Sequence, residues 1–161
     1  MMNHAIYAGS FDPITKGHLD IIQRALTMFD LVHVSVIENV DKQALFSISE
    51  RIDLIKNSIQ SDRIIVEGFE GLLVDYARDK GVYKLIRGLR AVSDFEYEFQ
   101  MSLINRAQES KIDTIFLMTD QKYSYLSSSI VRQLAKFNGD ISSYVSPYVQ
   151  KKLKEKYHGQ N

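Results

Sequence analysis

Cysteine is absent from this 161-residue chain, which excludes a disulfide framework, a thiol nucleophile and a thiolate metal site. Net charge is absent too: twenty basic and twenty acidic side chains cancel, so no global field draws the protein to nucleic acid or to an anionic membrane. No segment approaches the roughly 18 consecutive apolar residues that mark a membrane span. The N-terminus shows no charged stretch leading into an apolar one, so no signal peptide is expected. Repeats, low-complexity tracts and linker-like runs are missing as well. The expectation is a single cytoplasmic domain over residues 1–161, long enough to bury a core unaided. Its 45% hydrophobic and 25% charged content is that of an ordinary globular protein.

Short apolar runs occur at Ala5–Ala8, Leu31–Ile37, Ile64–Val66, Tyr83–Ile86 and Thr114–Met118. Bounded by turn or polar residues, they read as strands buried on both faces of a parallel sheet. Helical patterns lie between them. Leu19, Ile22, Leu26 and Phe29 form one apolar stripe, at helical spacing. Ser47-Ile-Ser-Glu50 is a capping box opening a helix through Ile52, Ile55 and Ile59. Further helices are expected over Leu72–Arg78, Phe95–Gln108 and Ser128–Phe137, with a last one starting at Ser146-Pro147. The lysines at 151, 152, 154 and 156 of that last helix read as a solvated face rather than a nucleic-acid patch. Strands alternating with helices predict an α/β fold: a Rossmann-like, doubly wound, five-stranded parallel sheet with helices on both faces. Such sheets bind ligands at the carboxyl ends of their strands.

The polar clusters follow predicted strands. After the first run comes Gly9-Ser10-Phe11-Asp12-Pro13, then Thr15-Lys-Gly17-His18 at the head of a helix. Gly9 permits close backbone approach, Ser10 offers a hydroxyl, and a helix N-terminus favours anions. An imidazole there can stabilise charge developing on phosphorus without taking a proton. After the fourth run, Arg87 and Arg90 flank Gly88, and two guanidinium forks suit a polyanion; the plainer reading is ion pairing with Asp94, Glu96 or Glu98. Ser127, Ser128 and Ser129 head another helix, as anion donors or as ordinary caps. Lys42, beyond the second run, is a further candidate phosphate contact. The other histidines are unremarkable: His33 reads as structural, and His4 and His158 as solvated. None has metal-ligand spacing with a carboxylate, so no protein-built metal site is expected.

Taken in order, these motifs resemble the bacterial phosphopantetheine adenylyltransferases, within the nucleotidyltransferase superfamily that carries a (Thr/His)-x-Gly-His signature. Gly9–Pro13 with Thr15–His18 carries the superfamily resemblance, and Ile86–Glu98 the family one. Leu126–Ser129 with Arg132 is similar to the superfamily's Ile-Ser-Ser-Thr-x-x-Arg element. Ala8 stands where the family commonly has proline, and Ser10 where it often has threonine.

The resemblance implies transfer of the adenylyl group of ATP to 4′-phosphopantetheine, giving dephospho-CoA and pyrophosphate. It also implies Mg²⁺ held mainly by ATP phosphates and water, a homo-oligomer (a hexamer), and feedback by CoA. It assigns His18, Ser10 and Lys42 to catalysis. Ser10, Lys42, Leu73 and Arg87 would hold the acceptor. ATP would lie against Ser10, Phe11, His18, Gly88, Leu89, Arg90 and Glu98, and along Tyr123, Ser124, Tyr125, Leu126, Ser127, Ser128 and Ser129. The alternatives are a sister nucleotidyltransferase with another acceptor, such as nicotinate mononucleotide or glycerol phosphate, and a non-catalytic nucleotide-binding module.

Overall fold

Successive side chains of the first strand enter two different cores, which is why its apolar run is continuous. In the structure, a computed structural model that describes residues 2–38 and 43–159, β1 (His4–Gly9) buries Ala5, Ile6, Tyr7 and Ala8. Tyr7 joins a core with Val32, Val34 and Val36 of β2 (Leu31–Ile37) and Ile86 of β4 (Lys84–Leu89). Ile6 and Ala8 join the opposite one, with Leu85 of β4. A period of two with both sides covered leaves Ala5–Ala8 without a solvent-facing position.

β3 (Ile64–Phe69) and β5 (Asp113–Met118) complete a parallel sheet in the order β3-β2-β1-β4-β5. The chain winds outward from β1 to β3, then returns to place β4 on the other side of β1. The loops after β1 and β4 therefore diverge, and the crevice between them is the place where such sheets bind ligands. The expected α/β architecture is the observed one. The two edge strands are only partly covered, as their position requires.

α1 (Lys16–Ala25), α2 (Ile48–Lys56), α5 (Ser128–Lys136) and α6 (Pro147–His158) contribute to the Tyr7 core. The Ser47–Glu50 capping box forms as the spacing predicts. The buried face of α2 is Arg51, Leu54 and Ile55; the expected stripe through Ile52 and Ile59 is only partly covered, and Ile59 lies beyond the helix end. α3 (Leu73–Lys80) packs Val74, Tyr76 and Ala77 on the other side. There the Tyr76 hydroxyl donates to Glu67 at 2.5 Å and accepts from Ser35 at 2.9 Å. His33 lies beside this network, buried, 3.7 Å from Glu67, with neither ring nitrogen bonded among the described residues. Burial holds its pKa below the ordinary value, so it is neutral and structural at pH 7.

α4 (Val92–Gln108) begins three residues earlier than Phe95, and none of its side chains is buried. Val92 is 85% exposed, and Phe95, Tyr97, Phe99, Leu103 and Ile104 are also open. Among the described residues no helix is long and apolar enough to cross a membrane.

Candidate active site

The loop between β1 and α1 is held from within. Phe11 adopts a left-handed backbone, φ 47°, with its ring 2% exposed. A bulky residue takes that conformation only when its surroundings over-determine it. Here the ring lies edge-on between Tyr7, at 5.3 Å, and His18, at 5.1 Å. Gly9 makes room for it, because a Cβ at that position would sit 3.2 Å from the ring.

Asp12 fastens the loop to its neighbours. Its carboxylate accepts from the Leu45 and Phe46 amides at 2.9 and 3.0 Å, and Arg132 of α5 donates to its backbone carbonyl while approaching Oδ2 at 3.4 Å.

Thr15 and His18 then form a capping box with histidine in the place usually taken by glutamate or glutamine. Thr15 Oγ1 accepts the His18 amide at 3.4 Å, and the Thr15 amide donates to His18 Nδ1 at 3.0 Å. A backbone amide can only donate, so Nδ1 is the acceptor and the proton of the neutral ring resides on Nε2. Burial, reinforced by the charge of Arg90, lowers the His18 pKa to about 4. At pH 7 the side chain is a neutral hydrogen-bond donor, Nε2–H, with no partner among the described residues.

The arginines after β4 are engaged. Arg87 grips Glu98 with two parallel bonds of 2.6 and 2.7 Å and donates to the Ala8 carbonyl at 2.9 Å. Burial opposes its charge, but Glu98 outweighs that and keeps its pKa above the ordinary value. Arg90 holds Asp94 at 3.0 Å and the Leu126 carbonyl at 3.0 Å. The ion pairs weighed from the sequence thus exist, and both guanidinium groups nonetheless border the same cavity. At the head of α5, Ser127 caps the Ile130 amide, and Ser128 donates to the Pro13 carbonyl at 2.7 Å. The serines therefore join α5 to the β1–α1 loop as well as presenting a helix N-terminus.

These elements enclose a cavity of about 330 Å³. Of the residues singled out from the sequence, Ser10, Phe11, His18, Arg87, Gly88, Arg90, Tyr123, Leu126, Ser127, Ser128 and Ser129 line it. Leu73, Leu89, Glu98, Ser124 and Tyr125 are not among the lining residues. Leu73 opens α3, and Glu98 stands behind Arg87. Lys42 lies outside the described residues.

Three charged lining residues were not assigned a role from the sequence: Asp12, Arg51 and Arg132. For Arg51 a signal existed, since positions 51, 54 and 55 share one helical face. Among the described residues no group of three or more His, Cys, Asp or Glu is placed to hold a metal ion. Asp12, the one carboxylate among the described residues lining the cavity, has both oxygens committed.

A neutral imidazole donor, arginines and a helix N-terminus around the switch point of a parallel sheet define a site for phosphate-ester chemistry, the layout of a nucleotidyltransferase. Residues 6–134 match the family described as Cytidylyltransferase-like. A Vibrio parahaemolyticus protein provisionally assigned as a nicotinate-nucleotide adenylyltransferase superposes with a TM-score of 0.72 at 18% identity, covering 100% of this chain and 98% of its own. Nearer in sequence are phosphopantetheine adenylyltransferases. That of Desulfosudis oleivorans is 53% identical over 156 residues, 96% of this chain and 93% of the relative. That of Geotalea daltonii is 54% identical over 155 residues, 96% of each chain. The chain belongs to the phosphopantetheine adenylyltransferase family.

Proposed function

We propose that this chain transfers the adenylyl group of ATP to 4′-phosphopantetheine. An acceptor phosphate oxygen attacks the α-phosphorus in line, the bond from that phosphorus to the bridging oxygen of the β-phosphate breaks, and dephospho-CoA and pyrophosphate form. The nucleophile is already ionised, so no general base is needed, and alignment with charge stabilisation carries the catalysis. The observation that supports this best is the Thr15–His18 lock, which presents a neutral Nε2–H donor beside the loop of Ser10. A donor of that kind stabilises charge that grows on the α-phosphate oxygens in the transition state.

In this reading Ser10 and Lys42 orient the acceptor phosphate, and Arg87 with the backbone near Leu73 holds the acceptor. Arg90, Gly88 and the Ser127–Ser129 helix head take the ATP phosphates. Phe11, Leu89 and Glu98, with the Tyr123–Leu126 stretch, complete the nucleotide side. Glu98 also fixes Arg87 by the paired bonds described above, and so acts on the acceptor side as well.

Nucleotidyltransferases of this kind generally use Mg²⁺ with ATP. With both Asp12 oxygens committed, no carboxylate among the described cavity residues is free to hold the ion, which would be bound mainly by ATP phosphates and water and would supply charge neutralisation there. The uncovered apolar side of α4 supports a homo-oligomer, for which the family resemblance suggests a hexamer. A cytoplasmic location and feedback by CoA belong to the same reading.

Acceptor choice is tested by incubating the protein with ATP or CTP and each of 4′-phosphopantetheine, nicotinate mononucleotide and glycerol phosphate. Dephospho-CoA from the first acceptor with ATP alone is expected; preferential use of another pair would make the chain a sister enzyme.

A further inference from the structure

Three of the four arginines lining the cavity already carry a carboxylate: Arg87 with Glu98, Arg90 with Asp94 and Arg132 with Asp12. The fourth, Arg51, has none among the described residues. It is 1% exposed, and among the described residues its guanidinium meets only carbonyl oxygens. Nη1 donates to Ser10 at 2.9 Å and to Ile37 at 3.2 Å, and Nε reaches Ser47 at 3.4 Å. Nη2 has no acceptor among these residues.

A carbonyl satisfies a donor but does not neutralise a charge. Burying a guanidinium without a counter-ion is costly, and the fold nevertheless places one at the wall of a cavity suited to phosphate. No carboxylate among the described residues balances it, and a ligand's anion would. Position indicates which one. Arg51 is tied to the end of β2 and to the Ser10 loop of the cavity wall. Arg90 and the serine-headed α5 are tied to each other across another part of the wall, through the Leu126 carbonyl.

We propose that Arg51 is a further substrate-binding residue of this site, holding the Ser10 loop with one arm and offering the other to the phosphate of the acceptor. This rests on the adenylyl-transfer reading above. Arg51 thereby couples the position of the Ser10 hydroxyl to the arrival of the acceptor, since a guanidinium is planar and both arms move together.

Calorimetric titration of 4′-phosphopantetheine and, separately, of ATP into the wild type, Arg51→Met and Arg51→Lys tests it, with thermal melts alongside. Arg51→Met is expected to weaken the acceptor at least about tenfold, the effect of losing a charge-assisted bond, with ATP affinity changed less than about threefold. Arg51→Lys, which keeps the charge, is expected to recover part of the acceptor affinity. Equal weakening of both ligands, or a lower Tm with both affinities intact, would make Arg51 purely structural and overturn the proposal.

If Arg51→Met does not fold, Arg51→Lys decides alone. A rise in acceptor KM with ATP KM unchanged supports the role, and parallel changes or none refute it. A wild-type protein that does not turn over 4′-phosphopantetheine would remove the functional reading itself. Wild-type turnover with unaltered acceptor affinity in the variant would remove only the role of Arg51.

Discussion

The Thr15 amide donates to Nδ1 of His18 at 3.0 Å while Thr15 Oγ1 caps the His18 amide at 3.4 Å. One reciprocal pair both starts α1 and selects the histidine tautomer. The proton is left on Nε2, and the low pKa, about 4, keeps the ring neutral at physiological pH. The helix cap and the proposed transition-state donor are therefore one device.

Replacing His18 tests the donor role. His18→Ala is expected to cut turnover by about a hundredfold or more, a typical loss for one oxyanion-type donor, while ATP affinity stays within about tenfold. Single-turnover kinetics beside nucleotide titration separates the two quantities. Turnover equal to that of the wild type would remove His18 from the chemistry.

The depressed pKa carries a pH signature. A pKa of about 4 in the fold against the ordinary 6.5 means that the unfolded chain binds more protons between those values. Stability is thus expected to fall as pH drops from about 6.5 towards 4, by at most about 1.4 kcal/mol per pH unit for this group, and to level off below. His33, also shifted downward by burial, acts in the same sense. Urea denaturation at several pH values should therefore show a shallower decline for His18→Gln than for the wild type. NMR titration of the His18 ring should give a midpoint near 4, and a midpoint near 6.5 would contradict the lock.

Gly9 reaches His18 through Phe11. A Cβ at Gly9 would stand 3.2 Å from the Phe11 ring, which touches the imidazole edge-on. Gly9→Ala is expected to displace that ring by a few tenths of an ångström and to lower turnover about threefold to tenfold, because small misplacements are costly in aligned reactions. The measurement is kcat with a thermal melt as control. A change in Tm alone would place Gly9 in packing only.

Arg87 and Glu98 should behave as a pair. Arg87→Ala is expected to raise the acceptor KM about tenfold or more, from loss of a charge-assisted contact. Glu98→Gln, which weakens the grip without removing the guanidinium, should have a smaller effect in the same direction. Steady-state kinetics in both substrates distinguishes them; an effect confined to ATP would reassign Arg87.

Much of this was legible in the chain. Continuous apolar runs located all five strands, because a parallel sheet covered on both sides has no polar alternation to hide it. Ser10 and His18 were legible from the glycines around them and the start of a helix. Asp12 was not, since within Phe-Asp-Pro it looks like a turn residue, and its partners at Leu45, Phe46 and Arg132 are far along the chain. Arg51 is hidden in the sequence, where a charged residue after Glu50 suggests the solvated face of a helix. Only the approach of the β1–α1 loop and the end of β2 makes its site interior. The openness of α4 was hidden as well, since a sequence pattern shows apolar residues without saying what covers them.

Adenylyl transfer with His18 as donor is tested by measuring pyrophosphate release from ATP and Mg²⁺ with 4′-phosphopantetheine, for the wild type and His18→Ala side by side. Release that requires the acceptor, matches dephospho-CoA formed one for one, and falls about a hundredfold or more in the variant is expected. No release from folded wild-type protein, or equal release from both, would contradict it.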